Sequence, residues 1–363
     1  MRTKRHISEQ IMQMTFGKTR TDYPTLLLLA GLITVSCTDV VVAEDPKPDH
    51  VFDDGTAVYF LGKRDGAKAI VEDGIGEFFG ELTALDMSVR MGRDLKSEDM
   101  EAERGRFKKF VAKNVRKWTR KEKEKLLATV KSAHDMCKKS LPQLVPNAWR
   151  FIKTSGDVEG APHTRGETIV LPAAKLAAGV GEHVLIHEVF HIYSRLHPDK
   201  RRELYKAIGF RELPSVAVPQ ALQRKRITNP DGVDINYAIN VTASDGRKID
   251  VVPIVYSRYD KRQNDIDGLF AYVTFGLFEV REVDGRWSVA VDEHGEPLPP
   301  LPPTVDGFFQ QIGRNTHYII HPDEILADNV ALLVTSSSGS VAKSVNTPDL
   351  FEKIERIIQA ESP

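Results

Sequence analysis

The stretch Val184-Leu185-Ile186-His187-Glu188-Val189-Phe190-His191-Ile192-Tyr193 constrains this chain most, because it sets a HExxH motif inside an apolar helical pattern. On a helix, side chains four apart differ by about 40° in direction and about 6 Å along the axis, so the imidazoles of His187 and His191 can converge on one ion. That spacing predicts a zinc-binding pair. Glu188 follows the first histidine, where its carboxylate reaches a water on the ion without ligating it, so it is the candidate general base. Leu185, Val189, Ile192 and Leu196 form one apolar stripe and Ile186, Phe190 and Tyr193 a second. The helix is therefore expected to be buried on two sides, with the histidine edge between them. Pro198 ends it near Leu196.

At 363 residues, 41% hydrophobic and 28% charged, the chain has the composition of a folded protein of one to three domains. Its net charge of −1 gives no bulk electrostatic case for nucleic acid or an anionic membrane. The basic stretch around Phe107, Phe110, Val111, Val115 and Trp118 sets its apolar residues on one helical face, the pattern of a packed helix with solvated lysines. At the N-terminus, Arg2, Lys4, Arg5, Lys18 and Arg20 precede an apolar run over residues 26–35, the length of a signal-peptide core. Residues 1–43 are expected to be a signal peptide cleaved after Ala43, with Val35-Ser36-Cys37 as the alternative, a lipoprotein box that tethers the chain to a membrane through a lipidated Cys37. Either reading exports the protein to a periplasm, a cell envelope or the medium. The two cysteines, Cys37 and Cys137, exclude a disulfide framework, and Cys137 shares a stripe with Leu126, Val130 and Ala133 as a buried structural thiol does.

The pattern along the chain predicts an α+β fold. Residues 44–225 are expected to hold a helical N-terminal part and the lobe with the HExxH helix, residues 226–303 a β-rich insertion with a proline-rich connector, and residues 304–363 a C-terminal helical part. Residues 57–61 read as a strand and residues 74–91 as helical. Thr119 to Glu122 is a capping box that opens a helix running through Cys137 and ending before Pro142. Residues 167–172 read as a short strand whose edge can hold an extended peptide by main-chain hydrogen bonds. Four β-prone segments follow residue 236, with Asp245-Gly246 and Asp284-Gly285 as hairpin turns, and the prolines of residues 297–303 make a stiff connector.

Two histidines leave a catalytic zinc one protein ligand short. His183 lies on the same ridge but about 12 Å along the axis from His191, too far to share an ion. The remote segment His317-Tyr318-Ile319-Ile320-His321-Pro322-Asp323-Glu324-Ile325-Leu326-Ala327-Asp328 offers the missing ligand. Pro322 suits the first helical position, which puts Glu324 in the first turn and Asp328 one turn later on the same face. His321, Asp323 and His163 are the other sources for a third ligand.

HExxH with a downstream ExxxD resembles the gluzincin branch of the zincin metallopeptidases, across these two windows. The resemblance implies a zincin-like lobe in which Zn2+ is held by His187, His191 and Glu324, with Glu188 as base. Asp328 then accepts the second ring proton of His187. It also implies an enzyme that hydrolyses a peptide or protein substrate with a metal-activated water, which the N-terminal segment would place outside the cytoplasm. Tyr318 and His317, beside the ligand segment, are candidate donors to the oxyanion. The competing expectation is a non-catalytic exported protein that binds zinc structurally and a partner or envelope component through its β-rich part. Cleavage preference and oligomeric state are left open by the sequence.

Overall fold

Two β-sheets and the helices packed on them make up the computed structural model, which describes residues 47–74, 77–337 and 346–360. The expected signal peptide, its cleavage point at Ala43 and the lipid site at Cys37 lie outside the described residues. The described residues belong to one unit, Pro46–Pro363, of α+β architecture.

The first sheet contains β1 (His50–Val51), β2 (Ala57–Phe60), β3 (Ala148–Thr154), β4 (His163–Arg165) and β5 (Thr168–Pro172), in the order β1-β2-β3-β5-β4. The central strands β2, β3 and β5 run parallel, while β1 and β4 are antiparallel edges. Side chains alternate across it. Phe151, Ile169 and Leu171 face the core that holds the HExxH helix, whereas Ile152 and Val170 pack with Phe78, Phe79, Phe107 and Val111. A sheet covered on both faces needs apolar residues at every position, so Thr168–Pro172 reads as a continuous apolar run. The strand expected as a peptide-holding edge is thus interior. The edge beyond it is β4, returned by a turn at Gly166, whose φ of +56° suits glycine.

The expected helix over residues 74–91 divides into Phe78–Glu81 and Ala84–Met91, because Thr83 accepts the Asp86 N–H and starts a new helix. The basic helix Met100–Lys113 is capped by Asp99 and stops before Val115, which bridges Thr154 instead. The capping box opens helix Arg120–Ser140, with Thr119 N–H donating to Glu122 Oε2 at 2.8 Å. Cys137 is buried, and burial pushes its thiol up to about 12, so it is an inert packing residue.

The second sheet holds β6 (Phe210–Glu212), β7 (Val216–Ala217), β8 (Tyr237–Thr242), β9 (Lys248–Ser257), β10 (Val273–Val283) and β11 (Arg286–Val289), ordered β6-β8-β9-β10-β11-β7. It begins before residue 226. Its Ile239, Val241, Val251 and Leu277 join the same apolar core as the HExxH helix, so the β-rich part does not stand apart from the helical part. Asp284 and Gly285 both have positive φ, 51° and 75°, as a two-residue hairpin turn requires. The proline-rich segment lies along β10, with Leu301 N–H donating to Leu277 O at 2.8 Å. No helix among the described residues is long and apolar enough to cross a membrane.

The HExxH helix spans Glu182–Leu196 and packs against helices Arg120–Ser140 and Pro322–Ser337. Leu185, Ile186, Val189 and Phe190 are all at most 1% exposed, which contributes about 2 kcal/mol each. Leu196, 36% exposed, falls outside the buried stripe.

Candidate metal centre

His187 and His191 stand one turn apart on their helix, with ring centroids 4.7 Å apart and planes at 79°. Glu324, in the first turn of helix Pro322–Ser337, comes to them from across the core. His187 Nε2 lies 3.0 Å from His191 Nε2 and 3.1 Å from Glu324 Oε2, and His191 Nε2 lies 3.4 Å from that same oxygen. Among the described residues, these three buried side chains form the group able to hold a metal ion.

Carboxylates behind the rings decide which atoms face inward. His191 Nδ1–H donates to Asp323 Oδ2 at 2.7 Å, and His187 Nδ1 lies 3.4 Å from Asp328 Oδ1. A proton held on each Nδ1 leaves each Nε2 with a lone pair, so two nitrogen lone pairs and a carboxylate oxygen point at one spot. Asp323 also accepts from Ser194 at 2.5 Å and from the Tyr205 hydroxyl at 2.8 Å. Asp328 also accepts from His183 Nε2 at 3.0 Å and from the Thr316 hydroxyl. Asn229 Nδ2 donates to Glu324 Oε1 at 2.7 Å, which leaves Oε2 for the imidazoles.

The electrostatics fit a site that demands positive charge. Burial pulls the His187 pKa down, but bonds to Asp328 and Glu324 outweigh it and hold it at about 9. Burial likewise opposes charge on His191, and the Asp231 and Glu324 carboxylates raise its pKa well above the usual range. With protein groups alone the acids recruit protons to the rings, and one divalent cation can replace both. Glu188 is 4% exposed, and its Oε2 is buried without a hydrogen-bond partner. Burial first, then Asp231, push its carboxyl up to about 8.

The structure brings together His187, Glu188, His191, Glu324 and Asp328 as the sequence grouped them, and sets Tyr318 beside them. The Tyr318 ring stacks on His187 with centroids 5.9 Å apart and planes at 18°. His317 is exposed and makes no hydrogen bond, ion pair or ring contact, so it is not brought to the centre. His321, a rival ligand, instead donates from Nε2 to Asp234 O at 2.8 Å and accepts the Asp323 N–H at 3.1 Å. His163 holds Ala161 O at 3.1 Å. Asp323, another rival, stands behind His191. Sequence reasoning missed Asn229 and Asp231, which sit in an Asn-Pro-Asp-Gly stretch that carries only a turn signal.

That stretch crosses close to the centre. Asp231 Oδ1 accepts the Thr164 N–H of edge strand β4 at 2.8 Å, and a side chain at Gly232 would put its Cβ 2.3–2.7 Å from His321 ring atoms. Gly232→Ala is expected to lower stability by about 1–3 kcal/mol through overpacking, read by chemical denaturation. Wild-type stability in that variant would show that the loop has room to shift. In comparisons with protein families, curated proteins and solved structures, the chain matches none.

Proposed function

We propose that the chain is a metallohydrolase. More particularly, we read it as an exported zinc-dependent peptidase with a zincin-like lobe. One observation carries the reading: the inward atoms of His187, His191 and Glu324 are 3.0–3.4 Å apart. Tetrahedral zinc, with bonds of about 2.0–2.1 Å, spaces its ligands by about 3.3 Å. The orphaned Glu188 Oε2 beside that triangle, with no ligand role of its own, supports a hydrolytic use over a structural one. The basic residues and the apolar run expected to make residues 1–43 a signal peptide support export.

His187, His191 and Glu324 would hold the zinc, which would supply Lewis acidity to a water and a substrate carbonyl. Glu188 takes the proton of the attacking water and returns it to the leaving amine. Asp323 and Asp328 keep the two imidazoles oriented as Nδ1–H tautomers. Asn229 fixes the face that Glu324 presents. The Tyr318 hydroxyl, on a ring stacked over His187, is the side-chain donor best placed for the oxyanion.

The test is metal content together with hydrolysis. Full-length purified protein is expected to carry about one zinc per chain by mass spectrometry, lost in His187→Ala, His191→Ala and Glu324→Ala. A metal chelator is expected to stop casein hydrolysis and added zinc to restore it. Folded wild-type protein that takes up no divalent metal at micromolar zinc would refute the reading.

A further inference from the structure

Helices Glu182–Leu196 and Pro322–Ser337 pack so that three histidines of the first meet three acids of the second. His183, His187 and His191 recur every four residues along one edge, each step about 6 Å along the axis and about 40° round it. Asp323 and Glu324 open the second helix, and Asp328 stands one turn later. The two rows pair in opposite order. His191 lies 2.7 Å from Asp323 and 3.4 Å from Glu324, His187 lies 3.1 Å from Glu324 and 3.4 Å from Asp328, and His183 lies 3.0 Å from Asp328. The ligand triangle takes up two of the histidines, and His183 lies one turn beyond it.

The two imidazoles of the triangle are held from behind in unequal ways. Asp323 gives His191 an oxygen of its own, Oδ2 at 2.7 Å, while its Oδ1 is fixed by Ser194 and Tyr205. All of these groups are buried. Asp328 is less enclosed, with 24% of its side chain exposed. Its Oδ2 takes the Thr316 hydroxyl, and its Oδ1 is shared between His183 Nε2 at 3.0 Å and His187 Nδ1 at 3.4 Å. An N–H to oxygen bond is best near about 2.9 Å, so the closer partner of that oxygen is His183 and not the ligand. A part-exposed carboxylate samples other rotamers unless its oxygens are held, and the long contact to His187 does little to hold this one. The donor that fixes Oδ1 beside His187 is therefore the histidine outside the triangle.

We propose that His183 is a positioning residue of the metal centre: by donating to Asp328 Oδ1 it keeps that carboxylate against His187 Nδ1 and so raises the zinc affinity of a triangle it does not enter. The assignment rests on the zinc reading of that triangle. A carboxylate in this place keeps the proton on His187 Nδ1, leaves Nε2 for the ion and makes the ring a stronger donor to it. The His183 side chain is 40% exposed, so its removal opens no cavity in the core and the fold is expected to stand.

The test is zinc titration of the full chain against a competing chelator, with a thermal melt of the chelated protein to follow folding. His183→Ala is expected to bind zinc about 3–10-fold more weakly, a smaller loss than the roughly 10–100-fold that follows removal of a ligand's own orienting partner. His183→Gln brings an amide N–H to the same oxygen and is expected to stay within about threefold of wild type. In an Asp328→Ala background the acceptor is gone, and removing His183 there is expected to change the affinity by less than about threefold. His183→Met, of similar length and without a donor, takes the place of His183→Ala should that variant fail to fold. Wild-type affinity in His183→Ala, an equal loss in His183→Gln, or the same loss again in the Asp328→Ala background overturns the role and leaves the metal centre standing. Wild-type protein that takes up no zinc overturns both.

Discussion

Glu188→Gln is expected to retain one zinc per chain while peptide hydrolysis falls by about 10²–10⁴-fold, the usual contribution of a positioned general base. The substitution preserves shape and changes none of the three ligand atoms. Glu188 Oε2 has no hydrogen-bond partner in the protein, so no existing bond is lost there. Glu188 is only 4% exposed and burial pushes its carboxyl up to about 8, so the position already tolerates an uncharged side chain and the fold is expected to stand. The measurement pairs kcat at saturating casein peptide with zinc content and a thermal melt on the same sample. Activity within tenfold of wild type, with zinc and fold intact, would remove Glu188 from the mechanism. Loss of zinc would instead make Glu188 part of the ligand set.

The centre was legible in the sequence where local geometry is encoded by identity and spacing. His187 and His191 are one helical turn apart whatever surrounds them, and Pro322 sets the register of the helix that presents Glu324 and Asp328. The roll of one helix against another is not encoded in this way. Asp323 and Glu324 are adjacent and point about 100° apart, so which of them meets the imidazole nitrogens and which stands behind a ring depends on packing. Asn229 and Asp231 depend on where a loop with no regular backbone crosses the core, and a turn signal says nothing of its neighbours. Strand β3 was hidden for another reason. Arg150 and Lys153 interrupt its apolar run, yet Lys153 is 9% exposed because its ammonium reaches the Glu122 carboxylate and closes a partly buried ion pair. The β-rich part was legible as strands and turns, but its sharing of a core with the HExxH helix follows from long-range packing of Ile239, Val241 and Leu277.

Asp323→Ala is expected to destabilise the metal-free protein by about 3–5 kcal/mol, the range for breaking a buried charged network from one side. Asp323 is 3% exposed and serves His191, Ser194 and Tyr205, themselves 1%, 1% and 2% exposed. Alanine leaves all three buried donors without their acceptor, and each such loss costs about 1–3 kcal/mol. Asp323→Asn separates stability from metal binding. An asparagine oxygen still accepts from Ser194 and Tyr205, but its amide nitrogen faces His191 Nδ1 and favours the tautomer with the proton on Nε2. A proton there blocks the lone pair that the metal needs, so zinc affinity is expected to fall about 10–100-fold while most of the stability remains. Urea denaturation of chelated protein and zinc titration against a competing chelator give the two quantities independently. Wild-type zinc affinity in Asp323→Asn would mean that the His191 tautomer is set elsewhere, and the carboxylate would then act only as a buried acceptor joining the two helices.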